Sequence, residues 1–537
     1  MIEAEKISSI AQIFGLDYPD FNNCWENTMF NQFHDILGGT SIESCHENAN
    51  IQAETVLDNT NDFINKSISY IGKKIKKKKN GKAIIVFNSL SWSRTDYVKI
   101  NINNINKDLH GSPVITDENG NIFPAQVIDN DLFFLPKSIP PLGYKVFYIS
   151  EGKNYDNLII KNPFVFENDS FYLEIDELTG TISYLLDKKN KKTVMKSNRS
   201  EAMISENAIP IKFSPVKFNL PSTKTFMNNL MQVLLEKPHQ YSIAVIGKIS
   251  KIFNLIDDPE IEIISKGPVI GQIRIKHKYN NSKVIQDICV YKEMDRIDFK
   301  TIVDWKENSG PNIQLPMLTA SFTPILERTK AIYEIPYGNI ERVADGREFP
   351  ALNWVDISDD NYGLSVLSDT KYGFSVIGNT ISITLMRTSY DPFPDADIGE
   401  HQFTYSIYPH KGNFKKADTA RKGYELNNPL IAISINETDN SNMLEESKSF
   451  ISSAPSNIII SSFKKAEDSD DLIIRLYESK GLKTRARLKF GFNIKSATEV
   501  NLLENPIKEK DFILNNNNLE FITRPFEIKT FLVEAGK

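Results

Sequence analysis

Asn31-Gln32-Phe33-His34-Asp35-Ile36-Leu37-Gly38-Gly39-Thr40-Ser41-Ile42 is the stretch on which the reading of this chain turns. Upstream of it, Trp25, Met29 and Phe33 recur at i, i+4 and i+8. That spacing predicts a helix with this stripe turned inward and with His34-Asp35 rotated off it at the C-terminal end. Gly38-Gly39 can supply the positive-φ residues that stop a helix. Thr40-Ser41-Ile42-Glu43 reads as a capping box for the next one. An imidazole beside a carboxylate at a helix end has two uses. His34 can simply sit well against the helix macrodipole, or it can ligate a divalent metal while Asp35 binds that metal's substrate. Residue chemistry alone leaves both open.

Working outward, residues 1–75 carry helical periods. Ile7, Ile10, Ala11 and Phe14 form a first stripe closed by Gly15 and Pro19, and Asn22-Asn23 can cap a second helix. Ile42, Cys45, Ala49, Ala53 and Val56, continued by Ile64, Ile68 and Ile71, predict a third. Three helices with short connections make an antiparallel bundle. Near Lys82 the period changes from 3.6 to 2. Ala83–Phe87 is a short β-branched strand, Phe171–Asp176 and Ile182–Leu185 form a hairpin about Thr179-Gly180, and Ile273–Lys276, Ile297–Val303 and Ile381–Met386 continue the pattern.

Many short strands with Gly, Asn and Asp turns, and no βα alternation, argue for antiparallel sandwiches. The polar segment 436–456 reads as a boundary or long loop before a last β-module that ends at Phe526–Leu532. The expected fold class is therefore mainly β, with an N-terminal three-helix bundle followed by antiparallel β-sandwich domains. The expected divisions are a bundle over 1–80, a small β domain over 81–160, a large sandwich over 161–435 and a C-terminal sandwich module over 436–537. No internal repeat is evident.

Composition narrows the function classes. A chain of 537 residues needs several cores, and 40% hydrophobic residues with 10% aromatics can fill them. A net charge of −6 gives no electrostatic case for nucleic acid. The seven lysines between Lys73 and Lys82 lack interleaved aromatics and read as a solvated helix end. Cys24, Cys45 and Cys289 show no CxxC spacing and cannot all pair, which suits a reducing compartment and excludes a cysteine-based zinc site. The start Met1–Lys6 has no apolar run after it, and no stretch approaches 18 apolar residues. A soluble, cytoplasmic protein without membrane partner is the expectation.

The segment Trp25–Ile42 resembles the Gln-Phe-His-Asp segment of family 38 α-mannosidases, zinc-dependent retaining glycoside hydrolases. Further matches follow in the family's order. They are Phe87–Arg94, Val303-Asp304-Trp305, Pro336–Arg342, Pro350–Asp356, Tyr362–Leu364 through Met386-Arg387, and Asp397–His410. The last β-module resembles the family's C-terminal end, and the resemblance covers essentially the whole chain.

It implies that His34 is a zinc ligand and that Asp35 contacts the bound mannose. It also implies α-mannoside oligosaccharides as substrates. Retaining hydrolysis needs two carboxyl groups about 5–5.5 Å apart. In the family these, and the other zinc ligands, belong to an N-terminal α/β domain of a few hundred residues. Only 33 residues precede His34 here. The resemblance therefore implies no catalytic carboxylate in these residues, a zinc site with one ligand from them, and an N-terminal catalytic domain that is either a separate catalytic chain acting as partner or was cut from this one. His34 is then expected on an open surface with uncovered apolar neighbours.

Later residues do not replace the missing ones by spacing. His401 shares a strand face with Phe403, Tyr405 and Ile407 and reads as a core histidine, while His410 after Pro409 reads as a turn residue. Asp395, Asp397 and Glu400 read as a solvated loop, with an ion or sugar contact as the alternative. Two departures from the family stand out. Glu236–Val245 replaces an Asp-x-Pro segment followed by Trp-Asp-Ala-Trp-Asp, which removes aromatic sugar stacking there. Gly38 replaces a proline, which loosens the turn. Two functions compete on this footing: the C-terminal portion of an α-mannosidase, or a non-catalytic carbohydrate-binding or structural remnant of one.

Overall fold

The computed structural model describes every residue except 80, 106–111, 153–158, 163, 198–227, 240–241, 244–245, 328, 436–443, 508–510 and 537. The described residues group into two compact units. One comprises 1–31, 50–156 and 428–537, and the other 32–49 and 157–427.

In the first unit the apolar stripes build the expected helices. α1 (Ile2–Ile13) and α2 (Asn22–Phe30) pack with the C-terminal half of α4 (Glu43–Lys73). Ile7, Ile10 and Ala11 of α1 share a core with Ile68 and Ile71 of α4. Phe21 meets Phe63 edge to face at 5.0 Å, and the Trp25 indole donates to Glu5 at 2.8 Å. At the α2 start the N-cap position falls on Phe21 rather than on Asn22-Asn23, and the Asp20 carboxylate before it accepts the Asn22 amide.

Beyond the helices lies an eight-stranded sheet that begins with Ala83–Asn88 and takes in Ile431–Ile435. Two four-stranded sheets then form the C-terminal sandwich. In Thr484–Phe490 alternate residues are buried and the three between them, Arg485, Arg487 and Lys489, are exposed, which is the period of 2 written in burial. Segment 444–456 is not a loop: Ser447–Ser449 and Ile451–Ala454 are strands, the second pairing with Thr484–Phe490. Its serines alternate with few apolar residues, so the sequence signal was weak. The rest of that expected loop lies outside the described residues.

The second unit is built on five-, six- and nine-stranded sheets, all with antiparallel ladders. The hairpin expected about Thr179-Gly180 is present, Phe171–Ile175 pairing with Ile182–Asp187. Leu315–Phe322 is buried along its whole length in the middle of the six-stranded sheet. Its Phe322 meets Phe299 and Tyr405 of the nine-stranded sheet, whose rings stack at 5.0 Å. Such pairs add about 0.5–1.5 kcal/mol beyond the area they bury. This core is what the loops described next are mounted on. Among the described residues no helix is long and apolar enough to cross a membrane.

Candidate functional site

The His34 segment departs from the expected helix end. α2 stops at Phe30, and Phe33 turns extended at φ −54 and ψ 137 before a separate one-turn helix, α3 (His34–Leu37). His34 and Asp35 thus start a short helix instead of ending a long one, so the macrodipole does not favour the imidazole there. The predicted inward stripe is not inward either, since Met29 is 67% and Phe33 53% exposed. Leu37 and Ile42 are exposed as well.

Of the two glycines only Gly39 is left-handed, at φ +73. Gly38 sits at φ −77 and donates its amide to the His34 carbonyl at 3.1 Å, a bond that a proline would lack. The replacement therefore ties this turn rather than loosening it. Thr40 does not act as a cap. Its hydroxyl donates to Asp35 Oδ1 at 2.8 Å, and α4 begins only at Glu43.

The two side chains stand together and open. His34 Nε2 lies 3.5 Å from Asp35 Oδ2, and the side chains are 78% and 49% exposed. The Phe33 ring leans on the imidazole with 4.3 Å between centroids. One carboxylate oxygen is thus held by Thr40 while the other shares an open edge with an imidazole nitrogen. That edge can receive a cation or a hydroxylated ligand. Among the described residues no three His, Cys, Asp or Glu side chains come together as a metal-binding group.

Loops of the second unit lie beside this turn. The Ile243 δ-methyl is 3.5 Å from where a Cβ on Gly39 would stand, and the His46 ring stacks with Phe393 at 6.3 Å. Ile243 belongs to the segment 236–247, in which residues 240, 241, 244 and 245 lie outside the described residues. Its base is polar and closed. Glu236, fully buried, accepts from Arg387, from the Gly247 amide at 2.6 Å and from His239. Tyr390 donates its hydroxyl to the His239 carbonyl at 2.9 Å. Burial pushes the nearby Glu348 carboxyl above the usual range, and a bond from Thr384 and the charge of Arg387 oppose that shift.

The remaining candidates stay apart from His34. His401 does share the face of Phe403 and Tyr405, half-buried, and donates Nε2 to the Asp397 carbonyl at 2.8 Å. Burial raises the Asp397 carboxyl, while His401 acts against it. Asp395 and Glu400 are exposed. His410 is not a turn residue. It lies buried in the strand Gly399–Lys411, its Nε2 2.7 Å from Asp356 Oδ2 and its Nδ1 3.0 Å from the Gly412 carbonyl.

Pro409 misled because pairing of this strand with Ile297–Trp305 stops at Ile407, so beyond it a missing amide costs no ladder bond on that side. Ser365 bonds both Asp356 and His410. The arrangement has the residue types of a catalytic triad, but it is sealed from solvent and ties three neighbouring strands of the nine-stranded sheet to one another. An aspartate inside the apolar strand Trp354–Ser358 was the signal that could have found it, because a buried carboxylate needs partners.

With this geometry in hand, known proteins place the chain. Residues 1–71 match the α-mannosidase middle domain, 166–395 the C-terminal domain of family 38 glycosyl hydrolases, and 457–531 that family's C-terminal β-sandwich domain. α-Mannosidase G of Dictyostelium discoideum is 28% identical over 98% of this chain and 49% of that protein. α-Mannosidase 2C1 of Homo sapiens is 24% identical over 99% and 47%. The chain thus spans about half the length of the curated relatives it matches. Among solved structures, an α-mannosidase from Enterococcus faecalis superposes with a TM-score of 0.76 at 16% identity, over 99% of this chain and 65% of that one. A family 38 glycosyl hydrolase protein from the same organism gives 0.78 at 16%, over 99% and 68%. At that identity the likeness is one of fold. Three domain matches in family order, over a fold shared from end to end, place this chain in glycosyl hydrolase family 38, of which it carries the middle domain, the C-terminal domain and the C-terminal β-sandwich.

Proposed function

We propose that this chain works as the C-terminal portion of a zinc-dependent retaining α-mannosidase, with His34 as a zinc ligand and Asp35 as a contact to the mannoside. The observation that carries the reading is the open His34–Asp35 pair, a nitrogen and a carboxylate oxygen 3.5 Å apart on a one-turn helix. Support comes from relatives of the family that are α-mannosidases.

The donor set fits one corner of a zinc site. An imidazole and a carboxylate give at most two protein ligands, where zinc takes three or four. The other ligands, the nucleophile and the acid/base carboxyl then belong to an α/β domain outside these residues. Zinc bound there would hold sugar hydroxyls and supply Lewis-acid chemistry. What this chain contributes is position: His34 presents a ring nitrogen, and Asp35, fixed through Oδ1 by Thr40, offers Oδ2 to the ligand. A reducing, cytoplasmic setting belongs to the same reading and is supported by three free thiols.

The test is hydrolysis of an aryl α-mannoside with added zinc. It compares this chain, the matching α/β domain sought in the coding sequence just upstream, and their mixture. Activity is expected in the mixture and lost with His34→Ala. Turnover by this chain alone, well above a His34→Ala control, would overturn the reading. An upstream region without such a domain would favour the non-catalytic alternative.

A further inference from the structure

Arg387 ends the strand Thr380–Arg387, and Glu236 ends Leu230–Glu236. Both pair with the same central strand, Glu236 opposite Leu315 and Arg387 opposite Met317, so they meet at one end of the six-stranded sheet. The guanidinium contacts both oxygens of the buried Glu236 carboxylate at 3.0 and 3.2 Å from Nη2. A pair that only closed the end of a sheet would stop there. Nη1 of Arg387 instead reaches on to the Ile243 carbonyl at 3.3 Å.

The loop is held at other points as well. Lys237 donates to Lys248 across its base at 2.9 Å, and the Tyr390 amide donates to the fully buried Ser242 hydroxyl at 3.2 Å. Gly247 permits this closure, because a Cβ there would fall 2.3 Å from the His239 ring. The side chain presented by the loop, Ile243, abuts Gly39, the left-handed residue that ends the His34 turn.

We propose that Arg387 is a positioning residue for the His34–Asp35 turn, acting through Ile243. It touches neither side chain of the pair. It fixes the loop whose isoleucine is the floor under Gly39, and through the turn it sets where the imidazole and carboxylate point. The proposal deepens the functional reading above and rests on it for its consequence in catalysis. In this turn, built on a glycine pair, half of residues 33–42 are exposed and none is fully buried, so its order depends on what lies beneath it.

The test is amide hydrogen exchange by mass spectrometry on the whole chain, with Ile243→Ala, Arg387→Met and Arg387→Lys. Ile243→Ala removes the floor without touching a charge. It is expected to speed exchange in residues 33–42 while strands Leu230–Glu236 and Thr380–Arg387 keep their wild-type rates. Arg387→Met is expected to speed residues 33–42 about tenfold, the effect of one charge-assisted hydrogen bond, and Arg387→Lys to restore part of that. Wild-type exchange of residues 33–42 in Ile243→Ala would overturn the proposal, even if Arg387→Met fails to fold. This readout needs neither zinc nor substrate, so its failure is distinct from failure of His34 as a ligand. If the mixture with the α/β domain binds zinc, Ile243→Ala should weaken that binding, and unchanged affinity would also overturn the proposal.

Discussion

His277 should make the large sandwich sensitive to mild acid. It lies in the strand Ile270–Tyr279 on the same face as Ile273 and Ile275, is 6% exposed, and has no partner for Nδ1 among the described residues. The Gly180 turn closes over it, and a Cβ on that glycine would touch the ring at 3.6 Å. Burial alone pushes the imidazole down from 6.5 to about 4. Unfolded, His277 takes up its proton near pH 6.5, whereas folded it stays neutral down to about pH 4. Protonation between those values favours the unfolded chain. The stability is fully present above pH 6.5 and is lost as pH falls toward 4.

The ceiling is about 3 kcal/mol, and about 2 kcal/mol of it is gone at pH 5. Carboxyl groups add their own pH dependence, Glu334 among them, which burial raises to about 7, so the comparison must be with His277→Leu, which is neutral at that position throughout. Urea titrations followed by hydrogen exchange of the peptide spanning 270–291 would be run at pH 7.5, 6 and 5. The wild type should lose about 2 kcal/mol more than His277→Leu over that range. A wild-type-minus-variant difference that stays constant from pH 7.5 to 5 would refute the reasoning.

Asp356→Ala should cost about 3–5 kcal/mol, because it removes the buried carboxylate shared by His410 and the Ser358 and Ser365 hydroxyls in a sealed interior. The denaturant midpoint checks this, and a loss below about 1 kcal/mol would contradict the role given to the network. Trp305→Ala should cost a similar amount, about 3–5 kcal/mol, since it opens a cavity in the large core and removes the indole bond to Thr388 at 2.7 Å. Thermal unfolding of the second unit reports it.

The fold was legible where burial follows the period. Ile7, Ile10 and Ala11, or the alternation along Thr484–Phe490, place their side chains as the spacing requires. Legibility failed where apolar residues are not buried. Met29 and Phe33 continue the spacing of Trp25, yet the backbone breaks at Phe33 and both stay exposed. Periodicity cannot separate a core stripe from an apolar surface, since both use the same residue types.

His34 and Asp35 stand out by the family-like pattern of their neighbours, not by helix geometry. The supports beneath them were invisible for a different reason. Glu236 and Arg387 are 151 positions apart, and nothing in either segment marks them as partners. Ion pairs made by strand order become readable only once the sheet is known. Asp356 with His410 is the intermediate case, flagged by a carboxylate within an apolar strand but with no hint of which partner satisfies it.

In the proposed function His34 completes a zinc site whose other ligands come from another domain. Zinc titration by calorimetry, into this chain, into the matching α/β domain and into their mixture, each with wild type and His34→Ala, tests it most directly. Weak binding is expected to this chain alone, and tight, one-to-one binding in the mixture that falls sharply with His34→Ala. Tight stoichiometric zinc on this chain alone, or tight binding in the mixture unchanged by His34→Ala, would contradict it.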